Sequence, residues 1–191
     1  MRRARRLFFA CCLAPALGLL SCGSGPTPSP PPPCDQLCLD GIAVLGMRLT
    51  LKQIFNQTLQ GGKVGKQDAK YVCPLGGTAH VFGTATSNPI QGATQVDLTY
   101  ELDGCVLIGR DTDPKSNYHL TTSGTLKQLG TLAVQPTATT SLGLQSDAIT
   151  ITGTVHDPPV PYEQKACKLV TLQDGNKVTG TVCGRDFSTT L

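Results

Sequence analysis

Residues 95–102, QVDLTYEL, carry the pattern that decides the fold. Val96, Leu98, Tyr100 and Leu102 alternate with polar residues along this stretch. Successive side chains of a strand point to opposite faces, so the alternation predicts a strand with one buried and one solvated face. Such strands are typical of an antiparallel sheet that is packed on one side only.

The same period of two recurs along the rest of the chain, in residues 79–85, 118–126, 149–155, 165–173 and 177–183. Four of these stretches contain an internal Gly-Thr pair whose glycine falls on the apolar face: Gly83, Gly124, Gly153 and Gly180. A glycine inside a strand costs about 0.5–1 kcal/mol relative to alanine. Four such costs on one face indicate a shared cause, either sharp curvature of the sheet or close approach of another element.

Residues 36–60 predict one substantial helix. Val44, Met47, Leu51 and Ile54 recur at helical spacing, and the pair Gly61-Gly62 ends the pattern. An apolar stripe of this size implies burial against a sheet. We therefore expect an α+β, mainly β fold, in which a curved antiparallel sheet of about seven to nine strands packs on this N-terminal helix. We further expect the helix to lie across the row of four glycines.

The N-terminus predicts export. Four arginines lie within residues 1–6, and residues 7–20 are apolar or small apart from Pro15. This segment is too short to span a bilayer comfortably and has the length of a signal-peptide core. Its end, LLSC at residues 19–22, resembles the lipobox of bacterial prolipoproteins. The resemblance implies cleavage before Cys22, lipidation of that cysteine and anchoring to a membrane.

The resemblance also divides the chain into a signal peptide (residues 1–21), a lipidated Pro-rich tether (22–33) and a single domain (34–191). Residues 23–33 are nearly all Gly, Ser, Thr and Pro, which favours an extended chain without a core. In lipoproteins of this kind an aspartate after the cysteine often means retention at the inner membrane. Gly23 stands there in this chain, so the outer membrane is favoured, facing either the periplasm or the cell surface.

The basic charge of the whole chain is no indication of nucleic-acid binding. The whole chain has 16 basic and 13 acidic residues, but four of the basic ones lie in the predicted signal peptide. The mature chain then has 12 basic against 13 acidic residues. The expected partners are the membrane, through the lipid on Cys22, and an envelope protein or an apolar ligand, with no nucleic acid.

Six cysteines remain in the predicted domain, and an even number in an exported domain indicates disulfides. Six cysteines allow 15 pairings. If the turn at residues 174–176 centres on Gly175, Cys167 faces Cys183 directly, at a distance that a disulfide accepts. We then expect Cys73 and Cys105 to pair across two early strands, which leaves Cys34 with Cys38. A structural metal site is the alternative, but the Cys34-x-x-x-Cys38 spacing has no matching second pair.

Residues 68–126 resemble a loose set of uncharacterised bacterial lipoproteins. The resemblance lies in the run Cys73-Pro74-Leu75-Gly76-Gly77, the later Cys105 and the Gly-Thr strands. This resemblance implies a similar fold, and it implies nothing about activity because the set has no known activity.

No local motif predicts catalysis, and no cofactor is expected. His80, His119 and His156 fall opposite the glycine face and show no metal-ligand spacing. No Gly-x-Ser-x-Gly motif and no phosphate-binding loop is present. We therefore expect a non-enzymatic envelope lipoprotein with a binding or structural role. Two alternatives remain open: a hydrolase or metalloprotein whose site is not local in sequence, and a carrier of an apolar ligand or lipid.

Overall fold

One α-helix and eight strands build the part of the chain that the computed structural model describes, residues 33–59, 64–88, 93–133 and 140–191. The predicted signal peptide and Cys22 lie outside these residues, as does all of the predicted tether except Pro33. Residues 33–191 form one compact unit. The described helices include none that is long and apolar enough to cross a membrane.

The strands form a single antiparallel sheet in which each strand pairs with the next one along the chain. This confirms the mainly β fold with one N-terminal helix. The elements are α1 (Gln36–Thr58), β1 (Gly65–Val72), β2 (Thr78–Asn88), β3 (Ala93–Gly109), a short 3₁₀ turn (Pro114–Ser116), β4 (Tyr118–Ala133), β5 (Ser141–Val155), β6 (Val160–Asp174), β7 (Lys177–Val182) and β8 (Arg185–Thr190). The period-two pattern did not single out β1 or β8, which form the two edges of the sheet.

Helix α1 occupies the inside of the sheet. It begins at the N-cap Asp35, whose carboxylate accepts a hydrogen bond from the Cys38 backbone N–H at 2.9 Å. Residues 39–44 are buried without interruption, which is more than one turn of 3.6 residues. The helix also contacts β1 and β8, the two edge strands, as well as β3, β4 and β5. The sheet therefore curls around the helix, and burial extends beyond the single apolar stripe that the sequence predicted.

The four Gly-Thr glycines mark bends in the strands. As predicted, each lies between buried neighbours on the same face of its strand. All four have a positive φ, between 122° and 152°, which L side chains rarely adopt. A Cβ on any of them would lie 2.0–2.6 Å from a carbonyl oxygen of the adjacent strand. Those strand atoms are the nearest neighbours of such a Cβ, so the backbone bend itself requires glycine. The placement of α1 across the glycine row stays a prediction.

Three disulfides join the pairs that the sequence analysis favoured: Cys34 with Cys38, Cys73 with Cys105, and Cys167 with Cys183. The register behind the last pair differs by one residue from the predicted one. Asp174 pairs with Lys177, so the turn is the two-residue Gly175-Asn176. The β6–β7 ladder ends at Leu169 and Val182. The disulfide therefore closes the open end of this ladder, where Cys183 has a φ of 52°, and does not join directly opposed residues.

Candidate functional site

A pocket of about 300 Å³ opens between the second half of α1 and one end of strands β4 to β6. Five of its ten lining residues are leucines: Leu45, Leu49, Leu132, Leu142 and Leu191. The remaining lining residues are Arg48, Lys52, Gln128, Thr140 and Gln173. Its volume is at the lower end of the range for small-molecule sites, and its mixture of apolar wall and few polar groups is typical of them.

Arg48 brings a positive charge into this apolar pocket. One terminal nitrogen, Nη2, donates a hydrogen bond to Oε1 of Gln173. The other, Nη1, is buried and has no hydrogen-bond partner among the described residues. Burial lowers the pKa of Arg48 to about 10, so the guanidinium still carries its charge at neutral pH. A buried cation without a counter-charge is unfavourable, since burial removes its hydration.

Two buried glutamines hold the polar wall of the pocket in place. Gln173 donates from Nε2 to the carbonyl oxygen of Gly175 at 2.6 Å, which leaves Oε1 to face Arg48. Gln128 accepts from the hydroxyl of Tyr100 at 2.8 Å, and burial raises the pKa of that hydroxyl. Gln173 thus occupies only Nη2 of the guanidinium, and Nη1 is left for another acceptor.

A second polar cluster surrounds His80 on the outer face of the first three strands. Nε2 of His80 lies 2.8 Å from the carboxylate of Asp68 on β1, and Nδ1 lies 3.2 Å from that of Glu101 on β3. These contacts raise the pKa of His80 and lower that of Asp68. Both ring nitrogens face carboxylates, so the imidazole links three strands, and in its protonated form it has no lone pair for a metal ion or for general-base catalysis.

The other two histidines line one cleft of about 480 Å³ at the opposite end of the sheet from Gly175. His119 and His156 share it with Asp111 and Asp157. The carboxylate of Asp111 accepts hydrogen bonds from the backbone and hydroxyl of Thr112, and these hold the pKa of Asp111 below its usual value. Within the described part of the chain, no group of three or more His, Cys, Asp or Glu is arranged to hold a metal ion.

A buried ionic network on the second turn of α1 corresponds to no motif in the sequence. Asp40 is fully buried and accepts hydrogen bonds from the Tyr162 hydroxyl at 2.8 Å and from Arg185 at 2.8 and 2.9 Å. Burial, followed by the contact with Asp40, raises the pKa of Tyr162, and the hydrogen bonds to Asp40 raise that of Arg185. The only sequence signal was an acidic residue within an apolar helical stretch, which indicates a buried polar contact without naming the partner.

No local sequence pattern pairs Arg48 with Gln173, since 125 positions separate them. The six predicted cysteines form disulfides and none of them lines the Arg48 pocket. The four predicted glycines shape the strands and likewise do not line it. Comparison with protein-family models, with curated proteins and with solved structures finds no match.

Proposed function

We propose that this chain is an exported lipoprotein, held at a membrane by a lipid on Cys22, whose disulfide-bonded domain binds a ligand or partner without catalysing a reaction. The observation that carries the proposal is the pairing of all six cysteines after residue 33. Disulfides form and persist in oxidising, extracytoplasmic compartments. None of these six thiols is free to carry lipid, so the lipobox-like Cys22 is the cysteine of the mature chain left for it.

Binding is favoured over catalysis by the chemistry of the polar groups. The ring nitrogens of His80 both face carboxylates. The pocket beside α1 combines leucine walls with cations, and its described lining residues include no Asp, Glu or His side chain to serve as a general base. Gly23, directly after the lipidated cysteine, favours the outer membrane where the cell has one.

The test is metabolic labelling of the full chain with radioactive palmitate, followed by membrane fractionation. We expect label and membrane association for the wild type, and loss of both for Cys22→Ser. The matched control is Cys12→Ser, which removes a cysteine of the predicted signal peptide and should leave labelling unchanged. Equal labelling of wild type and Cys22→Ser would overturn the proposed anchor.

A hydrolase is the second candidate, because His119 and His156 line the cleft at the far end of the sheet together with two acids. The discriminating assay is hydrolysis of a panel of nitrophenyl esters and phosphates. Turnover that disappears in both His119→Gln and His156→Gln would favour the hydrolase. Turnover that survives both substitutions would exclude this cleft as its site.

A further inference from the structure

We infer that the pocket beside α1 binds an amphiphile whose anionic head, a carboxylate or phosphate, pairs with Arg48 while its acyl chain lies along the leucines. This rests on the proposed binding role of the domain but not on the lipid at Cys22. Charge complementarity selects this class of ligand. Arg48 lines the pocket, and the described side chain to which it donates a hydrogen bond, Gln173, is neutral and does not balance its charge.

The geometry of Arg48 specifies how the head is recognised. Gln173 occupies Nη2 of the guanidinium, and Nη1 is buried without a partner among the described residues. An acceptor on the ligand would satisfy this nitrogen and neutralise the charge in a place with little water. Hydrogen bonds between an arginine and a carboxylate or phosphate are roughly twice as strong as those between neutral groups.

The leucine wall specifies the rest of the ligand. Five leucines line a volume of about 300 Å³, which is at the lower end of the range for small-molecule sites. This suits a ligand with a single acyl chain of medium length. A neutral apolar molecule would fill the same volume but would leave the guanidinium uncompensated, so it should bind more weakly.

The experiment uses the full chain as purified from cells, mixed with phosphatidylcholine nanodiscs whether or not Cys22 carries lipid. A decanoic acid analogue that carries a diazirine is photolysed with it, and the labelled peptides are identified by mass spectrometry. We expect labelling of the α1 peptide that contains Leu45 and Leu49. Decanoate should prevent it at a concentration about tenfold lower than decanol, the difference expected for one charge-assisted hydrogen bond.

Competition with decyl phosphate and with inorganic phosphate distinguishes the possible heads. Stronger competition by decyl phosphate than by decanoate identifies a phosphate head, and the reverse order identifies a carboxylate, each within the inferred class. Competition by inorganic phosphate alone at the same concentration would overturn the inference, since the acyl chain would then contribute nothing. Equal competition by decanol and decanoate would overturn it as well.

Two variants test the named residues. Arg48→Gln removes the charge and should reduce labelling at least tenfold, whereas the matched control Arg110→Gln, an exposed arginine outside the pocket, should not. If Arg48→Gln does not fold, Leu49→Gln serves instead, because Leu49 is partly exposed and lines the pocket. Undiminished labelling of a folded variant would overturn the inference. Because the probe acts on purified protein, failure here is separate from failure of palmitate labelling at Cys22.

Discussion

Replacing Asp40 by asparagine should remove a large part of the stability that holds α1 inside the sheet. The carboxylate of Asp40 is fully buried and receives four hydrogen bonds. Three of them, from Gln36, Tyr162 and Arg185, converge on Oδ1, and a second one from Arg185 reaches Oδ2. In Asp40→Asn the amide nitrogen would face Nε of Arg185, so a donor would meet a donor.

The size of the expected loss in stability follows from the burial of Asp40 and Arg185. Breaking a fully buried ion pair costs about 3–5 kcal/mol. The side chain of Arg185 is 35% exposed, so water solvates the guanidinium once its partner is lost, and the lower end of that range applies. We therefore expect the free energy of unfolding to fall by about 3 kcal/mol. For a domain of this size the midpoint of thermal unfolding should fall by about 6–12 °C.

Urea unfolding of the disulfide-intact chain, followed by far-ultraviolet circular dichroism, measures this loss. Asp186→Asn is the matched control, since Asp186 is exposed and follows Arg185 directly; it should change the free energy of unfolding by less than about 0.5 kcal/mol. Arg185→Met should be costly in the wild type but much less so in Asp40→Asn, because the partner charge is already absent. A loss below about 1 kcal/mol for Asp40→Asn, or additive effects in the double variant, would refute the reasoning.

Three further predictions concern the bends, the outer polar cluster and the disulfides. In a urea titration, Gly153→Ala should lower the free energy of unfolding by about 1–3 kcal/mol or more, because φ is 141° and a Cβ would lie 2.0 Å from a carbonyl oxygen. The control Gly143→Ala should change it little, because a Cβ there makes an ordinary contact of 3.6 Å. By NMR titration the pKa of His80 should lie above 6.5 and should fall in Asp68→Asn. Because the pKa of His80 is raised in the folded state, its contribution to stability is complete below pH 6.5 and is lost as the pH rises through the folded pKa. A His80 pKa that the substitution leaves unchanged would contradict the contact between His80 and Asp68. Cys105→Ala should cost about 4 kcal/mol in thermal unfolding, since the bond spans 32 residues, and an unchanged midpoint would count against this bond.

Local pattern was enough to predict the element types. The alternation in residues 95–102 lies within β3, and the helical spacing predicted over residues 36–60 matches α1 closely. Burial of one strand face depends on residues two positions apart, so a short stretch reveals it. The edge strands β1 and β8 were harder, since their polar composition weakens the same pattern; β1, for example, reads GKQDAKYV.

The register of the last hairpin differs by one residue from the register predicted from the turn sequence. The Asp174-Gly175-Asn176 signal correctly located the turn, but Asp174 is part of the ladder and pairs with Lys177. A shift of one residue changes which side chains are directly opposed. The pairing of Cys167 with Cys183 survives this shift because it lies beyond the last paired residues, where the backbone departs from the regular ladder.

The sequence by itself determined the antiparallel strands, the single long helix, the glycine positions on the inner face and the supply of cysteines. Only the tertiary structure decided that Asp40 meets Arg185 across 145 positions and that Arg48 meets Gln173 across 125. The physical reason is that periodicity reports which face of an element is buried, whereas a buried charge depends on whichever distant side chain the curvature of the sheet brings to it. The bends at the inner-face glycines belong to that curvature, so the sequence contains the cause of these contacts without revealing the partners.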